Sequence, residues 1–275
     1  MAITINTNVS ALYAQQYLVQ NQQNLSSTLQ RLSSGHRINN ASDDPAGLAI
    51  ASLMNATING TQQGSRNGQD GVNLVSTAAG AMQVILNDLQ TMNSLAVQAA
   101  NGTNSSASLS DMDAQYQALL NEIGRVTQSI NFNGVNVLSG GSISIQIGAG
   151  NSSNDTISLS LQNTATGSAG LNISGTSISV GSNALIAIGS LTSAISTVTT
   201  GLATLGAEQA NLQAAIQSNT SYVTSLSASA SSIMDTDFAA ESSNLAKYQV
   251  LNQSGVAMLA QANSVPSYVL QLLRG

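Results

Sequence analysis

The chain has 275 residues, enough for one or two globular domains, and only 7% of them are charged, against about 25% in an average soluble protein. A net charge of -6 with six scattered Lys and Arg residues argues against nucleic-acid binding, which needs a basic patch. The absence of Cys excludes disulfides and thiolate metal sites. No uninterrupted apolar run approaches the ~18 residues of a membrane span, so we expect none.

The two ends of the chain are almost free of charge. Every acidic residue lies between Asp43 and Glu241, and residues 1–42 and 242–275 carry only a few basic ones. Because burying an unpaired charge costs several kcal/mol, this distribution predicts ends that become buried. The alternative is a pair of polar tails that stay in solvent.

Residues 5–32 predict an amphipathic helix whose polar face consists of Gln and Asn rather than charged side chains. The sequence SSG at 33–35 is expected to end it. Its apolar positions, which we expect to mediate subunit assembly, are Ile5, Leu12, Val19, Leu25, Leu29 and Leu32.

Residues 36–47 have the composition of a linker, in which Ser42 or Asp43 would cap a helix with Pro45 in its first turn. That helix is expected over residues 46–59. Four glycines between residues 60 and 71 should then weaken regular structure unless packing holds it.

Apolar heptads return at residues 75–99 and again at 112–126, and they predict two further helices. The sequence SDMD at 110–113 resembles a capping box for the second of them. Between about 132 and 181 the apolar period changes to two, which predicts a β-hairpin from residues 143–147 and 157–161. Asn133-Gly134 predicts a tight turn, and residues 163–182 a loop with one short hairpin.

Residues 188–233 place apolar side chains every 3.5 residues, which indicates a helix roughly 70 Å long with a narrow apolar seam. Such a helix needs partner helices and predicts a rod. The positions expected in the core of that rod are Val75, Met82, Leu89, Leu119, Ile123, Leu202, Leu205, Leu212 and Ile216.

A last amphipathic helix should follow the Asp-rich cap at 235–237 and should pair with the first helix and with other copies. Its expected assembly positions are Leu251, Met258, Val265, Val269 and Leu272. The fold class is therefore mainly α: an elongated helical bundle or coiled-coil rod with a small β-hairpin region, whose terminal helices pair as a coiled coil.

Residue types suited to catalysis are scarce. The single histidine, His36, lies in the linker, and Asp43-Asp44 is more consistent with a helix cap than with a pair of catalytic carboxylates. The glycines after residue 60 lack the Lys-Ser/Thr of a phosphate loop. We expect no catalytic site, no metal, no cofactor and no enzymatic activity.

Several motifs resemble those of bacterial flagellin. They are RLSSG at 31–35, RIN at 37–39, DDPAG at 43–47, LAVQAANGTN at 95–104, FNG at 132–134 and LAQAN at 259–263. The match covers about 1–140 and 185–275 in the family's order.

The resemblance implies a subunit that self-polymerises into the extracellular flagellar filament for motility. Residues 1–44 and 233–275 would form an inner-tube coiled coil, and residues 45–232 a rod domain with its β-hairpin at about 132–181. This would be a short form without the family's outer variable domains.

The same resemblance implies partners: hook-associated and cap proteins, an export chaperone and the flagellar export apparatus. It also implies a surface for an animal innate immune receptor at Leu95 and Gln98. Thr91 and Gln115 replace the family's common Arg and Glu there, so receptor activation is expected to be weak.

Alternatives remain at this point: a hook–filament junction protein, a secreted coiled-coil adhesin and, more remotely, an enzyme. A lone terminal helix is marginal because ordering a residue costs about 1–2 kcal/mol and only one residue in about four can return that by burial. We therefore expect both ends to be mobile in the isolated subunit and to fold against neighbouring copies.

Overall fold

The structure, a computed structural model, describes residues 7–274 and the side chains of residues 7–265. This part of the chain is mainly helical with a small β region, which confirms the predicted fold class. Its helices are α1 (Val9–Ser34), α2 (Pro45–Ala99), α3 (Ser106–Ser129), α4 (Gly181–Met234) and α5 (Phe238–Arg274). Its strands are β1 (Asn131–Phe132), β2 (Val135–Asn136), β3 (Ser139–Gln146) and β4 (Thr156–Asn163).

The chain divides into two compact units. The first comprises Met1–Ala56 and Ser225–Gly275, and the second comprises Thr57–Thr224. Helices α2 and α4 each contribute residues to both units, so neither unit boundary coincides with a loop.

The ends of the helices follow local capping chemistry. Gly35 ends α1 in the left-handed conformation, with φ of 74°, as the sequence predicts. The predicted capping box at 110–113 is wrong, because α3 begins earlier and its cap is Ser105, whose side chain accepts the Ser108 N–H. Asp113 lies inside α3 and instead accepts hydrogen bonds from Ser177 Oγ and the Ile178 N–H, at 3.0 and 2.7 Å.

The core of the second unit lies between α2, α3, α4 and the hairpin. Of the positions expected in the core, six are buried and three are half-buried at its edge. The buried positions are Val75, Met82, Leu89, Ile123, Leu205 and Leu212. The half-buried ones are Leu119, Leu202 and Ile216.

The predicted hairpin is formed by β3 and β4, which pair Ile143 with Leu159 and Ile145 with Ile157. A two-residue turn at Asn133-Gly134 joins β1 to β2, with φ of 48° and 80°. These values match a turn that requires positive φ at both central residues.

The second, short hairpin predicted within 163–182 is wrong. This segment forms successive turns, with positive φ at Asn172 and Gly175, and its apolar side chains Leu171, Ile173 and Ile178 enter the core. Helix α3 holds it in place: the buried Tyr116 bonds Thr176 through its hydroxyl, at 2.6 Å. Tertiary packing therefore replaced the strand pairing that local alternation suggested.

The four glycines between residues 60 and 71 do not interrupt α2, because they allow the hairpin to lie on the helix backbone. A Cβ at Gly64 would stand 1.8 Å from the Ile147 carbonyl oxygen, and one at Gly60 2.7 Å from Ala149 Cβ. Asn219 Nδ2 donates to that same Ile147 carbonyl at 3.0 Å. Close packing thus offsets the low helix propensity of glycine.

A carboxylate from α4 reaches the outer edge of the hairpin. Glu208 Oε1 accepts the backbone N–H of Ser160 in β4 at 2.7 Å, while Glu208 Oε2 is buried without a partner. The side chain therefore satisfies a strand donor that β3 cannot reach.

Helix α4 is long and apolar enough by composition to cross a membrane, with an 18-residue window of mean hydropathy 1.5. Its apolar side chains Leu191, Val198 and Leu205 are buried in the second unit. A helix buried in a protein core can be equally long and apolar, so this composition by itself does not indicate a membrane span.

One acidic side chain on α2 has a perturbed titration. Desolvation by burial, and secondarily the nearby charge of Glu122, raise the pKa of Asp88, whose Oδ2 is buried without a partner. Because the folded state favours the protonated acid, the ionised form costs stability at pH values above the folded pKa.

Gly64→Ala should destabilise the chain by roughly 1–3 kcal/mol, because the added Cβ would overlap the Ile147 carbonyl. Gly80→Ala on the same helix is the matched control, since a Cβ there meets nothing within 4 Å; it should add about 0.5–1 kcal/mol. Chemical denaturation of both variants measures the two effects. Equal effects of the two substitutions would contradict the close contact.

Asp88→Asn should stabilise the chain at neutral pH, because it removes a carboxylate that the folded state prefers to protonate. The stability difference between the variant and the wild type should shrink as the pH falls through the titration of Asp88, because the wild-type carboxylate then becomes protonated and no longer destabilises the folded state. Urea unfolding across the acid range measures it, with the exposed Asp70→Asn on α2 as control. A gain that does not vary with pH would show that ionisation is not its cause.

Candidate assembly interface

Within the first unit, α1 packs along α5. Among the residues of these helices that are wholly or partly buried, one set recurs at intervals of three and four on both helices, as in a coiled coil. On α1 they are Ala11, Ala14, Leu18, Asn21, Leu25, Thr28 and Leu32. On α5 they are Glu241, Leu245, Tyr248, Asn252, Gly255, Leu259 and Ala262.

The seam between these helices is narrow because many of its side chains are small or polar. Gly255 lies so close to Leu18 that an added Cβ would stand 3.3 Å from its Cδ1. On α1 only Thr28 is fully buried. The pairing therefore removes little apolar surface from water.

Two polar contacts tie the seam near its ends. Asn8 Nδ2 donates to the Ala262 carbonyl at 2.7 Å, and an Arg31 nitrogen lies 4.0 Å from Glu241 Oε1. Glu241 is only 7% exposed, so its carboxylate depends on this cation and on a 3.4 Å hydrogen bond from Asn244. A pair of this kind inside a helix seam favours one register over others.

The two connecting segments of this unit are joined by a β-bridge between His36 and Asp235. Arg37 donates twice, from its backbone N–H to the Met234 carbonyl at 2.6 Å and from Nη2 to the Ile233 carbonyl at 2.7 Å. His36 Nδ1 lies 3.3 Å from Asp235 Oδ1. The bonds from Arg37 also satisfy carbonyls at the C-terminal end of α4, which have no partner in the helix.

The acidic residues of the linkers cap helices. Asp237 accepts the N–H groups at the start of α5, as predicted. At the start of α2 the predicted cap, Ser42 or Asp43, is wrong: the cap is Asp44, which accepts the Gly47 N–H. Asp43 instead accepts hydrogen bonds from the backbone N–H groups of Asn39 and Asn40. These bonds stabilise its carboxylate and lower the pKa of Asp43.

These helices also carry large apolar side chains that the pairing leaves exposed, some of them beside the seam. Tyr17 is 69% exposed on α1 and Met258 is 62% exposed on α5, and both line an open groove with Ala14 and Leu251. Large exposed apolar patches on a soluble chain mark interaction surfaces. We use the name outer face for the following exposed apolar residues of the two helices: Val9, Leu12, Tyr13, Tyr17, Val19, Leu29, Val250, Leu251, Val256, Met258 and Val265.

The residues expected to mediate assembly fall into three groups. Leu12, Val19, Leu29, Leu251, Met258 and Val265 lie on the outer face. Leu25 and Leu32 lie in the seam between α1 and α5. Ile5 and the side chains of Val269 and Leu272 are outside the described residues.

The sequence reasoning missed the two tyrosines of the outer face, Tyr13 and Tyr17. It sought one apolar stripe per helix, whereas α1 also carries large apolar side chains outside that stripe. The signal in the sequence is that Tyr13 and Tyr17 are apolar residues beside the heptad positions of α1.

The residues expected at a receptor surface lie on α2. Leu95 is half-buried against the core, and Gln98 is exposed. Their role remains a prediction.

These observations define a class: a helical structural subunit whose terminal helices leave a large apolar face free. Within residues 7–274, no group of three or more His, Asp or Glu side chains is placed to hold a metal ion.

The family model described as the bacterial flagellin N-terminal helical region matches residues 5–142, and that of the C-terminal helical region matches 188–273. This chain belongs to the bacterial flagellin family. Its role is that of a structural subunit of the flagellar filament, which lies outside the cell.

Relatives support this assignment along nearly the whole chain. A flagellin of Listeria monocytogenes is 33% identical over 98% of this chain and 99% of its own length. A flagellin of Halalkalibacterium halodurans is 37% identical over the same shares. The crystal structure of Bacillus cereus flagellin matches 56% of this chain and 88% of its own, with 31% identity and a TM-score of 0.50.

Arg31→Ala should weaken the α1–α5 pairing in assembled filaments, because it leaves the buried Glu241 carboxylate without its cation. We expect a loss of roughly 1–3 kcal/mol, seen as faster hydrogen exchange of the backbone amides of residues 9–34. Adding Glu241→Gln should restore part of the protection, since a neutral amide needs no cation. Arg66→Ala, which removes an exposed arginine from α2, should leave exchange in α1 unchanged.

Proposed function

We propose that this chain polymerises through the outer face of α1 and α5, and that other copies of the same face cover it. The single observation that carries the proposal is the pairing itself, which leaves most large apolar side chains of both helices exposed. The partner is expected to be another copy of the same chain, since members of the flagellin family are filament subunits.

The energetics support this assignment of the interface. Ordering a residue costs about 1–2 kcal/mol, whereas fully burying a Leu or Ile returns roughly 1.5–3 kcal/mol. On α1, 26 residues are ordered and only Thr28 is fully buried within the chain. The helix pair therefore needs further burial, and Leu12, Tyr17 and Met258 offer it.

Electrostatics allow many copies to pack side by side. The only charged residue of α1 is Arg31, which is engaged by Glu241. Between residues 248 and 265, α5 has no charged side chain. Copies that pack along residues 248–265 would therefore meet no like-charge repulsion from this stretch, and such repulsion is an electrostatic cost of assembling identical subunits.

We propose that residues 1–44 and 233–275 serve as the assembling ends and residues 45–232 as the folded body. The compact units support a division of this kind, although their limits lie about ten residues inside α2 and α4. We also propose that an export chaperone, the export apparatus, and hook-associated and cap proteins handle these ends. Helices that bury little apolar surface, together with the lack of Cys, suit passage through a narrow channel.

A hook–filament junction protein was the nearest alternative. The near-complete match to relatives named flagellin favours the filament subunit instead. An adhesin or an enzyme finds no supporting feature in the described residues.

Met258→Gln combined with Tyr17→Ser should abolish or strongly slow polymer growth while the subunit stays folded, because both side chains are exposed in the single chain. Seeded growth followed by sedimentation and negative-stain imaging measures polymer, and circular dichroism measures folding. Val84→Gln is the control, since it removes an exposed apolar side chain from the second unit. Normal growth of the double variant would assign assembly to another surface.

A further inference from the structure

The chain contains four Asn-Gly pairs, at 59–60, 67–68, 101–102 and 133–134. In this dipeptide the backbone nitrogen of glycine can attack the asparagine side-chain amide with little hindrance, since glycine has no Cβ. The structure places the four pairs in three different environments, so it discriminates between them.

Two of the pairs, 59–60 and 67–68, lie inside α2. A helical glycine N–H donates to the carbonyl four residues earlier, and the helical backbone fixes the nitrogen relative to the preceding side chain. Reaction at Asn59 or Asn67 therefore requires local opening of α2, which is a central helix of the second unit.

The pair at 133–134 forms the turn between β1 and β2. Ladder pairing of Phe132 with Val135 closes the turn, and both of its residues have positive φ. Rotation of the Asn133 backbone toward the attacking geometry would break this pairing.

The pair at 101–102 follows the end of α2 at Ala99, and both of its residues are exposed. The Gly102 N–H has no hydrogen-bond partner among the described residues, so it is available as a nucleophile. Asn101 Oδ1 accepts the Thr103 N–H at 3.4 Å. That donor polarises the amide carbonyl and stabilises the negative charge that develops on Oδ1 during attack.

We propose that Asn101 is a site of spontaneous deamidation in the folded chain. The Gly102 nitrogen gives its proton to solvent base and forms a bond to Asn101 Cγ. The bond from Cγ to the side-chain nitrogen then breaks, and that nitrogen takes up a proton and leaves as ammonia. Water then adds to one of the two carbonyls of the resulting succinimide, the ring bond from that carbon to the Gly102 nitrogen breaks, and the nitrogen takes up a proton. Attack at Cγ yields aspartate at position 101, and attack at the main-chain carbonyl yields isoaspartate.

The product changes the connection between α2 and α3. A carboxylate at position 101 stands beside the C-terminal end of α2, where the helix dipole already presents negative charge. Isoaspartate also lengthens the main chain in a turn that Asn104 Nδ2 ties to the Gln98 and Asn101 carbonyls, at 2.6 and 3.0 Å. Both products should loosen this turn.

The test is incubation of the full, folded chain in mildly alkaline buffer, followed by peptide mass mapping. Exchange of NH₂ for OH reports deamidation, and labelling by isoaspartyl methyltransferase reports isoaspartate. Asn101 should react faster than Asn133 and at least about tenfold faster than Asn59 and Asn67, which need helix opening. In denaturant the four rates should converge.

Gly102→Ala is the matched variant, because a Cβ at this position meets nothing within 4 Å and its φ lies outside the left-handed region. It should slow reaction at Asn101 by at least about tenfold through steric hindrance and leave the other three pairs unchanged. Reaction at Asn101 as slow as in α2, or insensitive to Gly102→Ala, would overturn the proposal.

Discussion

The narrow seam between α1 and α5 is the contact on which the behaviour of this protein depends. It relies on small side chains such as Ala14 and Gly255, so the helices approach closely and bury little apolar surface. Its register is set by polar contacts, among them the pair of Arg31 with the buried Glu241. A seam of this kind can align two helices without making either of them stable alone. Burial of their exposed apolar side chains against another molecule would add stability.

The second unit differs from the helix pair because it has an apolar core of its own. Its core is continuous, and α2 and α4 supply long apolar faces to it. The glycines of α2 lower helix propensity but bring the hairpin onto the helix backbone. One chain thus combines a unit that has a continuous core with a helix pair that buries little apolar surface.

Much of this fold could be predicted from apolar periodicity. The long helix of residues 188–233, the hairpin pairing of Ile145 with Ile157 and the cap at Asp237 all follow from local rules, and the structure confirms them. The features that the sequence did not predict depend on tertiary contacts. Nothing local reveals that Gly64 faces the Ile147 carbonyl, or that α3 draws residues 171–178 into the core instead of into a strand. The outer face was only partly predicted, because Tyr13 and Tyr17 fall beside the main heptad.

The contact of Glu208 with β4 has a consequence for how copies can associate. A two-stranded ladder has open rims, and an open rim can recruit a further strand from another molecule and start cross-β aggregation. Here the outward N–H of Ser160 in β4 already donates to the Glu208 carboxylate. A further strand pairing at this position would have to displace that carboxylate or bury its charge. In a protein whose copies come to high local concentration as they assemble, this bond removes one edge donor from strand pairing between copies.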